Sequence, residues 1–196
     1  MNSCLRTSLK ALAQRLSFVL MLPIFVVYKI QRMLTGKAEV IASYSELLAL
    51  FPGQIGAYLR SAFYCMALKN CSKDCYIGFG TVFSTAEVEI QSAVYIGKYC
   101  CIGSVSIATN TRIASRVSLL SGLRQHQRDA EGQFMSESTK EMITIGSSCW
   151  IGEAAVVAAN VGSGSNIAAG AVVLREIGES VSVFGNPARA VSAAEH

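Results

Sequence analysis

The chain has 196 residues and a mass of 20.9 kDa, enough for one full domain with an appendage. Apolar residues make up 52% and charged residues only 15%, which excludes intrinsic disorder; three prolines and 16 glycines exclude a collagen-like or proline-rich chain. The net charge of +4 is scattered, with some concentration in the first 40 positions, and lacks the dense basic face of a nucleic-acid protein, so no nucleic-acid partner is expected.

In chain order, the first element is the apolar run LSFVLMLPIFVVY from Leu16 to Tyr28. It is short of the ~20 apolar residues a bilayer span needs. Lys10 and Arg15 precede it and Lys29, Arg32 and Lys37 follow it, so positive charge flanks both ends. Pro23 at its centre is expected to kink or break a helix. These features predict a shallow re-entrant or in-plane helix with membrane-surface contact through residues 8–34. The competing reading is a signal peptide, against which no small-residue cleavage site follows. Localisation is then the cytoplasmic side of the inner (plasma) membrane, or cytoplasmic if the segment is buried. Ser43 and Glu46 have the spacing of a capping box ahead of ELLALF, and Pro52-Gly53 ends that helix. Ile55, Leu59, Ala62, Phe63 and Met66 then recur at helical spacing between Gln54 and Leu68. Residues 1–70 therefore read as an N-terminal helical, membrane-associating region.

From Tyr76 the texture changes. Ile-Gly pairs at 77–78, 96–97, 102–103, 145–146 and 151–152 mark a six-residue period, with inner positions Ile77, Phe83, Ile90, Ile96, Ile102, Ile107, Ile113, Leu119, Ile145, Ile151, Val157, Val161, Ile167 and Val173. Neither an α-helix nor an alternating strand has this period. One hexad is a short strand and a turn, with one aliphatic side chain inward and a small residue at the corner to let the chain turn tightly. Three hexads make a triangular coil, and stacked coils bury a column of aliphatics. The polar stretch LRQHQRDAEGQFMSESTKEM, residues 123–142, lacks the period and must loop out. Residues 71–191 are expected to form the repeat domain, and 192–196 a tail.

The seven cysteines, Cys4, Cys65, Cys71, Cys75, Cys100, Cys101 and Cys149, are odd in number and form no framework, which fits a reducing compartment. The Cys71–Cys75 spacing suits some zinc sites, but no histidine or second pair accompanies it, so these read as small buried hydrophobes and no metal is expected. Of two histidines, His196 ends the chain and His126 opens the extruded loop, where function on a rigid scaffold usually sits.

The segments FPGQIGAYLRSAFY, SLLSGLRQHQRD, CWIGEAAVVAANVGSGSNIAAGAVV and FGNPARAV together resemble the hexapeptide-repeat acyltransferases over about residues 52–191. That family includes galactoside, maltose, xenobiotic and serine acetyltransferases and the polysaccharide and capsule O-acetyltransferase branch, which FPGQIGAYLRSAFY favours. The resemblance implies a mainly β fold, a left-handed parallel β-helix of about five coils, whose hand the usual crossover rule would not predict. It implies acetyl-CoA as co-substrate, a saccharide or glycan-precursor acceptor, and sites between the subunits of a homotrimer. His126 would be the general base, since imidazole titrates near neutrality. Trp150, Glu153, Ala169, Leu174, Arg175 and Arg189 match the family's cofactor contacts, although a small polar residue is usual where Glu153 stands. Arg124, Gln125 and Asp129 are candidate acceptor contacts; many relatives carry a histidine where Arg124 lies, and Asp129 could instead orient His126. Alternatives are N-acetylation of an amino sugar or other small molecule, or a non-catalytic scaffold of a membrane assembly. A zinc hydratase would need three histidines, and one is at hand.

Overall fold

The computed structural model of the chain describes residues 3–123, 133 and 141–190. Three helices precede the repeat: α1 (Ser3–Thr35), α2 (Val40–Ala49) and α3 (Gly53–Ala67). Helix α1 runs unbroken through Pro23, where a kink or a break is expected from sequence. Pro23 lies on the solvent side, while Met21 and Tyr28 on the other side are buried. Tyr28 stands edge-on to Tyr44 and Phe63, with ring centroids at 5.4 and 5.7 Å. Packing of both halves against one core holds the axis together despite the hydrogen bond that proline removes.

Helix α2 starts three residues before Ser43, and its N-cap Glu39 makes no side-chain cap. Ser43 and Glu46 are interior helical residues whose spacing only mimics a capping box. Leu59, Ala62 and Phe63 of α3 face the core as their spacing predicts, but Ile55 is 76% exposed. The inward position is taken by Arg60, which is fully buried. Its guanidinium donates to the carbonyls of Phe51 (2.6 Å), Ile77 (3.0 Å) and Leu48 (3.3 Å), tying the C-terminal end of α2 to the first coil. Burial pushes its pKa down from the usual value. Ser45 Oγ is 2.6 Å from the Tyr64 hydroxyl and accepts from the Phe83 amide at 2.7 Å, so α2, α3 and the repeat share one buried polar knot.

From Asn70 on, strands of two or three residues stack in parallel into three sheets, with Arg189–Ala190 pairing antiparallel at one end, and close a triangular solenoid of about five coils. Register is exact along each face. One face stacks Ile77, Ile96, Ile113, Ile151, Ile167 and Val183. The next stacks Phe83, Ile102, Leu119, Val157 and Val173. The remaining face stacks Ile90, Ile107, Ile145 and Val161. Every one of these residues is at most 2% exposed. The hexads are thus the core itself.

The Ile-Gly glycines serve close approach rather than turning. A Cβ on Gly97 would lie 2.5 Å from the Ala114 carbonyl carbon of the next coil. The left-handed residues come two positions later, in a column of Gly80, Tyr99, Arg116, Ala154 and Gly170 with φ of +57° to +76°.

Candidate functional site

The register separates the three edges of the prism by behaviour. Inner residues are six apart across two edges, as in Ile77 to Phe83 and Ile90 to Ile96. Across the edge that leaves the Phe83–Val173 face they are seven (Phe83 to Ile90), five (Ile102 to Ile107), 26 (Leu119 to Ile145), four (Val157 to Val161) and four (Val173 to Ile177) apart. All length variation falls on this edge. The long step from Leu119 to Ile145 holds the polar run, so that run begins and ends on this edge.

The base of that segment is tightly built. The backbone carbonyl of buried Ser121 accepts from the Glu141 amide (3.2 Å), and its Oγ accepts from the Ser104 amide (2.7 Å). The amide of Ile143 then bonds Ser104 O at 3.2 Å. Departure and return are therefore clamped side by side. A cleft of about 240 Å³ opens beside this base, lined by Glu46 of α2, Ser84, Cys101, Gly103 and Ser121 among others. His126, Arg124, Gln125 and Asp129 lie outside the described residues, as do most of 123–142 and the tail 192–196.

On the same edge, two coils beyond Leu119, stand Leu174 and Arg175. They line a small cavity of about 140 Å³ with Arg189, Ile177, Pro187 and Ala188. Arg175 and Arg189 are both exposed, and among the described residues neither forms an ion pair. The Arg189 guanidinium donates to the neighbouring Ala188 carbonyl at 3.2 Å, its one hydrogen bond among the described residues. Two unneutralised guanidinium groups on one concavity favour a phosphate-bearing ligand.

Glu153 and Ala169 stand together on the adjacent edge, one coil apart, where the Gly170 amide bonds the Glu153 carbonyl at 2.8 Å. The Glu153 carboxylate pairs with Arg116 of the coil below. Trp150, 46% exposed, opens the strand leading to that corner and sits between Arg112 and Asn166 on the outward surface. The two edges flank one face, so Glu153 and Ala169 are on one side of it and Leu174, Arg175 and the loop base on the other. Sequence reasoning missed Ser121, Glu46 and the Arg116 partner of Glu153. Only the position of Ser121 before the extruded stretch could have signalled it.

Cys100 and Cys149 are buried inside the coils, and burial pushes both thiols up from their usual pKa. They behave as small interior side chains. Among the described residues no cluster of three or more His, Cys, Asp or Glu is arranged to hold a metal ion.

No family model matches the chain. A Saccharomyces cerevisiae protein that carries the name "Putative acetyltransferase YJL218W" is 35% identical over 89 residues, covering 44% of this chain and 44% of that protein. The chain thus spans less than half the length of this relative. Among solved structures, a maltose O-acetyltransferase from Clostridium difficile 630 superposes with a TM-score of 0.60 at 18% identity, over 80% of this chain and 87% of that one. The acetyltransferase domain of PglB from Neisseria gonorrhoeae FA1090, in complex with acetyl coenzyme A, is 22% identical with a TM-score of 0.43, over 61% and 53%. The buried hexad column and the superposition on the maltose O-acetyltransferase show a left-handed parallel β-helix built from hexapeptide repeats.

Proposed function

We propose that the protein transfers an acetyl group from acetyl-CoA to a hydroxyl of a saccharide or glycan precursor. The observation that carries this reading is the shared edge. The clamped base of the His126-bearing segment and the Leu174-Arg175-Arg189 cavity lie on one edge of the prism, two coils apart, or roughly 10 Å at the spacing of paired strands. A phosphate group held at the arginines would leave a thioester arm within reach of the loop. The S. cerevisiae relative and the maltose O-acetyltransferase, named for acetyl transfer, support the reaction class, and the latter supports a sugar hydroxyl as acceptor.

In this mechanism the acceptor oxygen attacks the thioester carbonyl while His126 takes its proton. Backbone amides of a coil stabilise the oxyanion. Collapse expels CoA as a thiolate, which recovers the proton from His126, and the acetyl ester leaves. Trp150, Glu153 and Ala169 border the cofactor from the adjacent edge; Arg124, Gln125 and Asp129 contact the acceptor. A homotrimer would complete each site with residues of a second copy, and a cytosolic donor puts the reaction on the cytoplasmic side.

The test is acetyl-CoA turnover by the purified protein with a panel of sugars and amino sugars, comparing wild type with His126→Ala, alongside CoA binding by both. Turnover with hydroxyl acceptors that collapses in the variant, with CoA binding kept, is the expected result. Turnover confined to amino sugars would replace the hydroxyl acceptor by an amine. Absence of CoA binding in both proteins would remove the transferase reading and leave a scaffold.

A further inference from the structure

Helix α1 has two unlike faces. Met21 and Tyr28 are buried against the domain, with Phe18, Ile24 and Phe25 packed beside them. Opposite them, Leu12, Leu16, Val19, Val26, Ile30 and Met33 are 46–78% exposed, at the three- and four-residue steps of one helical stripe. Leu20, Val27 and Leu34, also exposed, widen that stripe well beyond a narrow seam. A continuous apolar surface of this length on a soluble face marks a partner.

Charge decides which partner. Residues 1–38 contain Arg6, Lys10, Arg15, Lys29, Arg32 and Lys37 and not one Asp or Glu. If a second copy packed its α1 here, coiled-coil geometry would put Arg15 and Lys29 beside the seam, where opposite charges are needed, with no acid on α1 to meet them. Pro23 would sit in that seam. An anionic lipid surface suits both features, taking the apolar stripe between its headgroups and the flanking cations against its phosphates.

The helix is long and apolar enough to cross a membrane by length and composition alone. Spanning would strip Tyr28 from the aromatic cluster it shares with Tyr44 and Phe63. It would also bury Arg15 or Lys29, because the uncharged stretch between them is 13 residues, about 20 Å, against a hydrocarbon core of about 30 Å. From these observations we propose that the outward face of α1 docks the protein on the surface of an anionic bilayer, with the helix in the membrane plane and the β-helix in water. This is independent of the acetyl-transfer reading.

The test uses the whole protein in co-sedimentation with vesicles of phosphatidylcholine alone or containing phosphatidylglycerol. The partition coefficient is compared for wild type, Val19→Glu/Val26→Glu, and Gln91→Glu/Ser92→Glu, an equal charge change on exposed repeat residues. Circular dichroism and light scattering check folding and oligomeric state. Expected are binding that requires phosphatidylglycerol and weakens with salt, at least tenfold loss in the α1 variant, near-wild-type binding in the control, and release by carbonate at high pH. Failure to bind either vesicle, or binding indifferent to the α1 variant, would overturn the proposal. So would resistance to carbonate, which means a span, or an oligomer that dissolves in the α1 variant without vesicle binding, which means a second copy covers the face.

Discussion

Arg116 and Glu153 form an ion pair across one coil step, and Arg116 holds its place with a left-handed backbone, φ +60°. Both side chains are at least half exposed, so the pair contributes no more than about 1 kcal/mol to stability. Its consequence is electrostatic: it neutralises Glu153, among the described residues the one carboxylate on the corner that carries Ala169. Arg116→Ala would leave that charge bare beside the proposed cofactor, raising the KM for acetyl-CoA by roughly fivefold while the melting temperature stays near wild type. Adding Glu153→Gln should restore the KM. Steady-state kinetics on the three variants checks the cycle.

Arg60 is a different kind of charge. It is buried, and its partners are three backbone carbonyls at the junction of α2, α3 and the first coil. Replacing it with Met preserves volume but leaves carbonyls of Leu48, Phe51 and Ile77 without this donor. The expected cost is about 3 kcal/mol. Urea unfolding of Arg60→Met and Arg60→Lys would show it, with Lys recovering only part because one ammonium cannot match the guanidinium fork.

The difference between Arg60 and the repeat explains what the sequence could say. A β-helix core is one inward aliphatic per hexad, so its period is written directly in Ile96, Ile102, Ile113 and Ile151, each at most 1% exposed. The interruption of the column between Leu119 and Ile145 was equally legible, because a polar run cannot enter it. Helix α3 was legible as a helix but not in its facing: apolar periodicity placed Ile55 inward, whereas Arg60, satisfied by carbonyls from distant segments, lies there instead. The continuity of α1 through Pro23 depends on tertiary contacts of Met21 and Tyr28 that local rules do not contain. Likewise the shared edge of Leu174, Arg175 and Ser121 appears only once coils are stacked, since the residues are more than 50 positions apart.

Two glycines separate close approach from backbone strain. Gly97→Ala puts a Cβ 2.5 Å from backbone of the next coil, so coils must part, at a cost of about 3 kcal/mol or more. At Gly170 a Cβ meets nothing within 4 Å, and the penalty is only the left-handed φ of +69°. Ala154, one coil away, already accepts φ +58°. Gly170→Ala should therefore cost about 1 kcal/mol. Thermal unfolding of both variants gives the contrast; equal losses would mean that φ, not coil spacing, dictates the glycines.

Arg175 and Arg189 offer the sharpest check on the cofactor site. They line one cavity, and the described residues include no acid in an ion pair with either. If they hold a CoA phosphate, each Arg→Ala change removes a charge-assisted hydrogen bond that substrate and transition state share. Such uniform binding appears in KM and leaves kcat intact. Each single variant should weaken acetyl-CoA binding about tenfold, equivalent to ~1.4 kcal/mol, with kcat at saturation near wild type. Added salt should weaken the wild type more than the double variant, because the screened attraction is already gone. CoA lacking its 3′-phosphate discriminates further: if that group is the one held, the wild type should lose affinity for the analogue while the double variant binds both equally. An unchanged KM in both single variants would separate this cavity from the cofactor and place the phosphates elsewhere.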